Sequence, residues 1–232
     1  MTRAYEVKWK GQPSPDGTGQ PVTIAIRQSV AAMSVQPILR AESTVTVYPD
    51  GRILLAVHAD KDPGIETLPR IGLRLFLRGE MNRVSYYGMG PGETYIDKHH
   101  SGRHGCFEGT VSSLHEDYIR PQENGSRYDC DYVAAEGGGV RLSAASADPD
   151  PGKTFSFNAS VFTQEELERK RHNYELTPCG STVLCLDHRM AGIGSHSCGP
   201  DLLPEYRVRG ENYHFAFMLK PEVITKTQDL SE

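Results

Sequence analysis

Alternation of apolar and polar residues with period two, broken at short intervals by glycine, proline, asparagine and aspartate, constrains this chain more than any other feature. Val22, Ile24 and Ile26 follow it, as do Val45 and Val47, then Ile71, Leu73, Leu75 and Leu77, and finally Tyr213, Phe215, Phe217 and Leu219. In a strand successive side chains point to opposite faces, so this pattern predicts half-buried antiparallel strands. Between the runs 43–48 and 52–57 stands Pro49-Asp50-Gly51, where proline presets one backbone angle and glycine tolerates a positive one, and the two runs should pair as a hairpin. Further short strands are expected at 83–87, 127–133, 139–143, 153–158, 181–187 and 205–209. Many short strands separated by turns predict an all-β antiparallel sandwich, with residues 1–232 as one domain.

One helix is expected. Thr163-Gln164-Glu165-Glu166 has the form of a capping box, in which the threonine hydroxyl accepts from the amide three residues on and Glu166 reaches back. The run to about His172 is nearly all polar, which predicts a short surface helix. The stretches 12–19 and 148–152 read as loops, the first tipping a hairpin.

Charge and composition exclude several classes. Lys plus Arg number 25 and Asp plus Glu 30, a formal net charge of −5, so there is no basic field for nucleic acid. No apolar run approaches the roughly 18–20 residues that span a bilayer, and Met1-Thr2-Arg3-Ala4-Tyr5-Glu6 lacks the apolar core of a signal peptide. Five cysteines, an odd number at irregular spacing, suggest free thiols in a reducing compartment rather than a disulfide framework. The expectation is a cytoplasmic protein without nucleic-acid or membrane partners.

The chemistry-bearing candidates are few. Gly192-Ile193-Gly194-Ser195-His196-Ser197-Cys198-Gly199-Pro200 has no apolar period and reads as a loop presenting side chains to a ligand. As a phosphate loop it is poor, because no Lys-Ser/Thr pair follows. His99, His100, His104 and Cys106 lie within eight residues but lack paired ligand spacing elsewhere. They are read as a structural or exposed cluster, and no metal site is assigned. Glu93 and Asp97 flank a tight Gly90-Pro91-Gly92 turn and are candidates either for binding a sugar hydroxyl or for organising that loop.

Four segments resemble one family in its own order. Pro69-Arg70-Ile71-Gly72-Leu73, Tyr87-Gly88-Met89-Gly90-Pro91-Gly92-Glu93-Thr94-Tyr95-Ile96-Asp97, Pro121-Gln122-Glu123-Asn124-Gly125, and Phe155-Ser156-Phe157-Asn158-Ala159-Ser160 followed by Thr163-Gln164-Glu165-Glu166 resemble the C-terminal, small-chain domain of LacZ-type β-galactosidases of glycoside hydrolase family 2. The first sixty or so residues match only in character, and the family's opening segment is not found.

The resemblance implies a large antiparallel supersandwich similar to galactose mutarotase. It implies also that the catalytic carboxylates and the magnesium of the parent enzyme lie in a separate (β/α)8 barrel, so this chain has no catalytic residue and no cofactor of its own. Retaining glycosidases need two carboxyl groups about 5–5.5 Å apart, and none of Glu93, Asp97, Glu116, Asp117, Glu123, Glu165 or Glu166 announces itself as such a pair. The implied partners are that barrel, the parent's other domains, further subunits of an oligomer, and a galactoside substrate.

In the family the loop equivalent to Gly192–Pro200 reaches over the barrel's active site, and some members carry a tryptophan there that stacks on the sugar. Cys198 occupies that position here. This leaves Gly194, Ser195, His196, Ser197 and Cys198 as the substrate-loop candidates, with His196 donating to a sugar hydroxyl or the loop acting through its shape. Cys198 as a nucleophile would have only His196 as a nearby base. The single tryptophan, Trp9, is expected to pack an early strand edge. The alternative function is a free-standing sugar-binding or mutarotase-like protein, for which His99, His100, His172 and Glu93 supply acid–base residue types.

Overall fold

The period-two runs become strands. The computed structural model describes residues 2–12, 18–31, 36–148, 152–194 and 201–224. In chain order the strands are β1 (Thr2–Lys10), β2 (Val22–Val30), β3 (Leu39–Val47), β4 (Ile53–Lys61), β5 (Arg70–Arg78), β6 (Arg83–Gly90), β7 (Arg103–Thr110), β8 (Arg127–Cys130), β9 (Tyr132–Gly137), β10 (Val140–Ser146), β11 (Phe155–Ser160), β12 (Ser181–Met190) and β13 (Asn212–Val223). Every pairing is antiparallel. Nine strands form one sheet in the order β1-β2-β3-β4-β13-β10-β9-β6-β7, and four form another in the order β5-β12-β11-β8.

The hairpin expected at Pro49-Asp50-Gly51 joins β3 to β4. Gly51 takes a φ of 84°, its amide donates to Tyr48 O at 3.0 Å, and Asp50 Oδ1 accepts from the Arg52 amide at 3.1 Å. The side chain thus completes the turn that the glycine permits.

Apolar residues of the two sheets meet in one core. Phe215, Phe217 and Leu219 of β13 join Tyr86 of β6, Val133 of β9, Phe155 and Phe157 of β11 and Leu184 and Leu186 of β12. Rings lock edge to face, Tyr86 with Phe157 at 5.0 Å and Phe155 with Phe217 at 5.3 Å between centroids, a geometry that aligns a ring's positive edge with its neighbour's negative face. All six residues of β11 are buried, and on the face away from the nine-stranded sheet Asn158 donates into the loop at Asn124.

Several expectations are corrected. The run 127–133 is two strands in different sheets, with Asp129 at a φ of 55° at the crossing and its Oδ1 accepting from Thr154 Oγ1 at 2.6 Å. Residues 205–209 are not a strand. Pro204–Tyr206 forms a 3-10 turn, which Pro204 favours by its fixed φ, and only Val208 makes an isolated bridge, to Leu68. Trp9 lies on the edge strand β1 with 68% of its surface exposed, because among the described residues no second layer reaches that edge.

The helix α1 (Gln164–Arg169) is shorter than expected and ends where Lys170 adopts extended backbone. Thr163 Oγ1 accepts from the Glu166 amide at 3.2 Å, but Glu166 does not reach back. Its carboxylate accepts from the Thr177 amide at 3.0 Å and from Arg169 at 2.6 Å, which ties the helix to the following loop and leaves Glu166 and Leu167 buried. With Thr163 the sole cap, Thr163→Ala should cost about 1 kcal/mol in urea unfolding. An unchanged midpoint would show that packing of Leu167 alone holds the helix. Among the described residues no helix is long and apolar enough to cross a membrane.

Candidate functional site

The four quoted segments, far apart in sequence, converge at one end of the small sheet. Arg70 opens β5 opposite Met190 of β12. Its guanidinium donates to both oxygens of Asp187, Nε to Oδ1 at 2.9 Å and Nη2 to Oδ2 at 2.5 Å, and through Nη1 to Glu123 Oε2 at 2.8 Å. This fork geometry is particular to arginine, because a lysine offers only a point charge. Asp187 is 2% exposed, and burial raises its carboxyl above the usual range, opposed by Arg70. Burial likewise pushes Glu123 up to about 7, again against the pull of Arg70. Two carboxylates on one guanidinium leave an excess negative charge, which fits the proton-holding character of Glu123.

Gly72 in the same segment has a separate cause. A Cβ there would stand 2.1 Å from Leu186 O and 2.7 Å from Asp187 Cα, so only glycine lets β5 approach β12 beside this ion cluster. Asn124 is buried and fastens its own loop, Oδ1 accepting from the Glu116 amide at 3.1 Å and Nδ2 donating to Gln122 O at 2.9 Å. Asn158 of β11 donates to Asn124 O at 2.5 Å, which connects the third segment to the fourth.

Glu93, a sequence candidate, faces inward. It is 7% exposed and accepts from Lys98 Nζ at 2.5 Å, from the Gly125 amide at 2.8 Å and from the Tyr118 hydroxyl. Burial works against its charge, but these three donors hold the carboxyl below the usual range. Two of these bonds, from Tyr118 and Gly125, hold the loop 116–125 in place, and Lys98 reaches Tyr118 as well.

Asp97, the other candidate, touches the start of the glycine-rich loop. Its Oδ1 accepts from the Ile193 amide at 3.0 Å and its Oδ2 from the Gly194 amide at 2.9 Å. Gly192 lies against the same carboxylate, where a Cβ would meet Cγ at 2.4 Å. The Gly192 amide donates to Tyr206 O at 3.0 Å. The root of the loop is therefore clamped from two sides. Of the loop candidates only Gly194 is described; Ser195, His196, Ser197 and Cys198 lie outside the described residues.

Below this clamp is a cavity of about 640 Å³ lined by Leu68, Tyr95, Glu123, Met190, Ile193 and Arg207 among others. Among the described residues the buried Tyr95 hydroxyl and Glu123 Oε1 meet no hydrogen-bond partner of normal geometry. Burial raises the Tyr95 hydroxyl pKa, so Tyr95 remains a neutral donor. The cavity thus presents one neutral donor and one carboxyl that exchanges its proton near neutrality.

Of the remaining histidine candidates, His99 and the exposed His100 lie ring to ring at 4.8 Å, while His104 and His172 make separate contacts. His99 Nδ1 lies 3.1 Å from Tyr95 O, His104 Nε2 lies 2.8 Å from Asp129 O, and His172 is exposed beside Glu175. Among the described residues no group of three or more His, Cys, Asp or Glu side chains is arranged to hold a metal ion. Cys106, Cys130, Cys179 and Cys185 are free thiols, and Cys198 lies outside the described residues.

Sequence reasoning missed Arg70 as the hub and Asp187 as its partner. One signal was available: Asp187 ends the apolar run Val183-Leu184-Cys185-Leu186, and a carboxylate continuing a buried strand requires a cation.

Comparisons with known proteins place this geometry in context. A family model described as beta galactosidase small chain matches residues 2–219. The β-galactosidase of Actinobacillus pleuropneumoniae is 38% identical over 218 residues, covering 94% of this chain and 20% of that protein. That of Staphylococcus xylosus is 34% identical over 187 residues, covering 81% of this chain and 18% of that protein. The chain thus spans about a fifth of the length of the curated relatives it matches. Among solved structures, a putative aldose 1-epimerase from Escherichia coli overlaps 94% of this chain and 69% of its own at a TM-score of 0.42 and 11% identity. With the family model covering nearly its whole length, the chain belongs to the beta galactosidase small chain family.

Proposed function

We propose that this chain is the non-catalytic small-chain part of a retaining β-galactosidase, an enzyme that releases terminal β-D-galactose. In this reading the catalytic carboxylates and the magnesium belong to a partner (β/α)8 barrel, and this chain completes the rim of the active site within an oligomeric, cytoplasmic enzyme. Free thiols accord with that compartment.

The observation that carries the reading is the Asp97 clamp. A carboxylate that spends both oxygens on the amides of Ile193 and Gly194 anchors the point from which the proposed substrate loop departs, and an anchored root lowers the entropy lost on meeting a substrate. Of the other carboxylates of the site, Glu93 is committed to three donors and Asp187 to Arg70, while Glu123 spends only Oε2 on Arg70.

The test is hydrolysis of a chromogenic galactoside. The purified chain alone should show no turnover. Co-expressed with the remaining four-fifths of the Actinobacillus pleuropneumoniae enzyme, it should restore activity. In that assembled enzyme His196→Ala or Cys198→Ala should alter leaving-group or acceptor preference more than stability. Asp97→Ala should raise KM for galactosides several-fold while costing less than about 1 kcal/mol in urea unfolding. Turnover by the chain alone that persists through purification and disappears on replacing Glu93 or Glu123 would overturn the reading.

A further inference from the structure

The core face of the nine-stranded sheet continues beyond the point where the four-stranded sheet stops covering it. Directly opposed residues of antiparallel neighbours share a face. The register runs Trp9 to Ile24 to Val45 to Leu55 to Phe217, and in parallel Val7 to Ile26 to Ser43 to Val57 to Phe215. Phe215 and Phe217 belong to the buried core, and Leu55 and Val57 pack against it. Val7, Trp9, Ile24, Ile26 and Val45 take no part in that core, although they are the same surface carried three strands further. Tyr5, Val7 and Trp9 are 60%, 60% and 68% exposed. An antiparallel sheet with one solvated face normally alternates polar residues there, and a contiguous apolar face with a tryptophan at its edge marks an interaction site.

The geometry points to this overhang, the face of β1–β3 carrying Val7, Trp9, Ile24, Ile26 and Val45, as the docking surface for the large part of the β-galactosidase. The inference rests on the functional reading above and names the surface through which it operates. One observation selects the occupant. The relatives carry about four-fifths of their length outside the matched region, so a large further body is there to cover an apolar face.

The experiment is hydroxyl-radical footprinting of Trp9, the chain's one tryptophan, in the chain alone and in the enzyme assembled by co-expression with the remaining four-fifths of the Actinobacillus pleuropneumoniae β-galactosidase. Oxidation of Trp9 should fall about ten-fold or more on assembly, with Tyr174, 83% exposed on another part of the fold, serving as the reference. The double substitution Val7→Ser and Trp9→Ser should weaken assembly at least about ten-fold, while the chain keeps its unfolding midpoint, since neither residue is in the core. Lys8→Ser with Lys10→Ser, on the opposite face of β1, should leave assembly within about three-fold. An assembled enzyme in which Trp9 oxidises as fast as in the free chain, or a Val7/Trp9 variant that assembles like the wild type, overturns the docking surface and leaves the functional reading intact. Protection of Trp9 in the chain alone with a doubled mass assigns the face to a second copy and overturns the chosen occupant. Failure of the wild-type chain to assemble at all overturns the functional reading itself.

Discussion

Replacing Arg70 with alanine is expected to cost about 3–5 kcal/mol of folding stability, read as a lower urea midpoint at unchanged slope. The size follows from what is left behind. Asp187 is 2% exposed, and its two hydrogen-bonded ion contacts both come from Arg70. Glu123 loses the partner of its Oε2 in the same stroke. Breaking a buried pair by removing one side strands the other charge in a poorly polarisable interior, which is why the loss exceeds the modest net worth of an intact pair. Arg70→Lys should recover only part of the loss, because an ammonium cannot span both oxygens of Asp187 and still reach Glu123. A loss below about 1 kcal/mol for the alanine variant would mean that water enters and solvates the two carboxylates, and that the cluster is not a structural hub.

The second large effect is a pH dependence carried by Glu123. Burial holds its carboxyl at about 7, against an ordinary value near 4.5, so between those values the folded chain retains a proton that the unfolded chain has released. The folded state binding more protons makes stability fall as pH rises. Glu123 therefore contributes stability that is fully present below pH 4.5 and lost as pH rises through about 7. The side chain is 28% exposed, and with partial solvent screening the effect amounts to roughly 2 kcal/mol.

His188 acts in the opposite direction. Burial and the neighbouring Arg189 hold it down at about 4, so its contribution is present above about 6.5 and lost as pH falls through 4. The two slopes offset each other across much of the acidic range, and the wild-type profile alone cannot separate them. Glu123→Gln separates them, since the histidine term is common to both proteins. Stability of the variant minus that of the wild type should rise by about 2 kcal/mol between pH 4.5 and pH 7.5. A difference that stays flat over that range would show that Glu123 titrates as an ordinary exposed carboxyl.

Much of the architecture was legible in the chain because its causes are local. Alternation of apolar residues set strand faces, and Pro49-Asp50-Gly51 set a hairpin, since both act through a few consecutive backbone angles. Thr163 capped the helix as read, but Glu166 turned to the Thr177 amide and not to the cap, and the helix stopped at Arg169. The run 127–133 looked like one strand, yet Asp129 broke it with a positive φ tied to Thr154. Both errors come from partners distant along the chain, which no local pattern contains.

The site divides along the same line. Its ingredients were visible as four segments and a glycine-rich loop, and Asp97 was already a candidate for organising a loop. That the loop it organises begins at Ile193, 96 residues away, was not visible, nor was the convergence of Arg70, Glu123 and Asp187 on one guanidinium. By itself the sequence determined most of the strands and their turns, because residue type and short spacing are enough for each. Only the tertiary structure decided which carboxylates are spent on the frame, which cavity holds an unpartnered one, and that the sheet carrying Trp9 extends past its covering layer, because those depend on what the folded chain brings near and what it leaves bare.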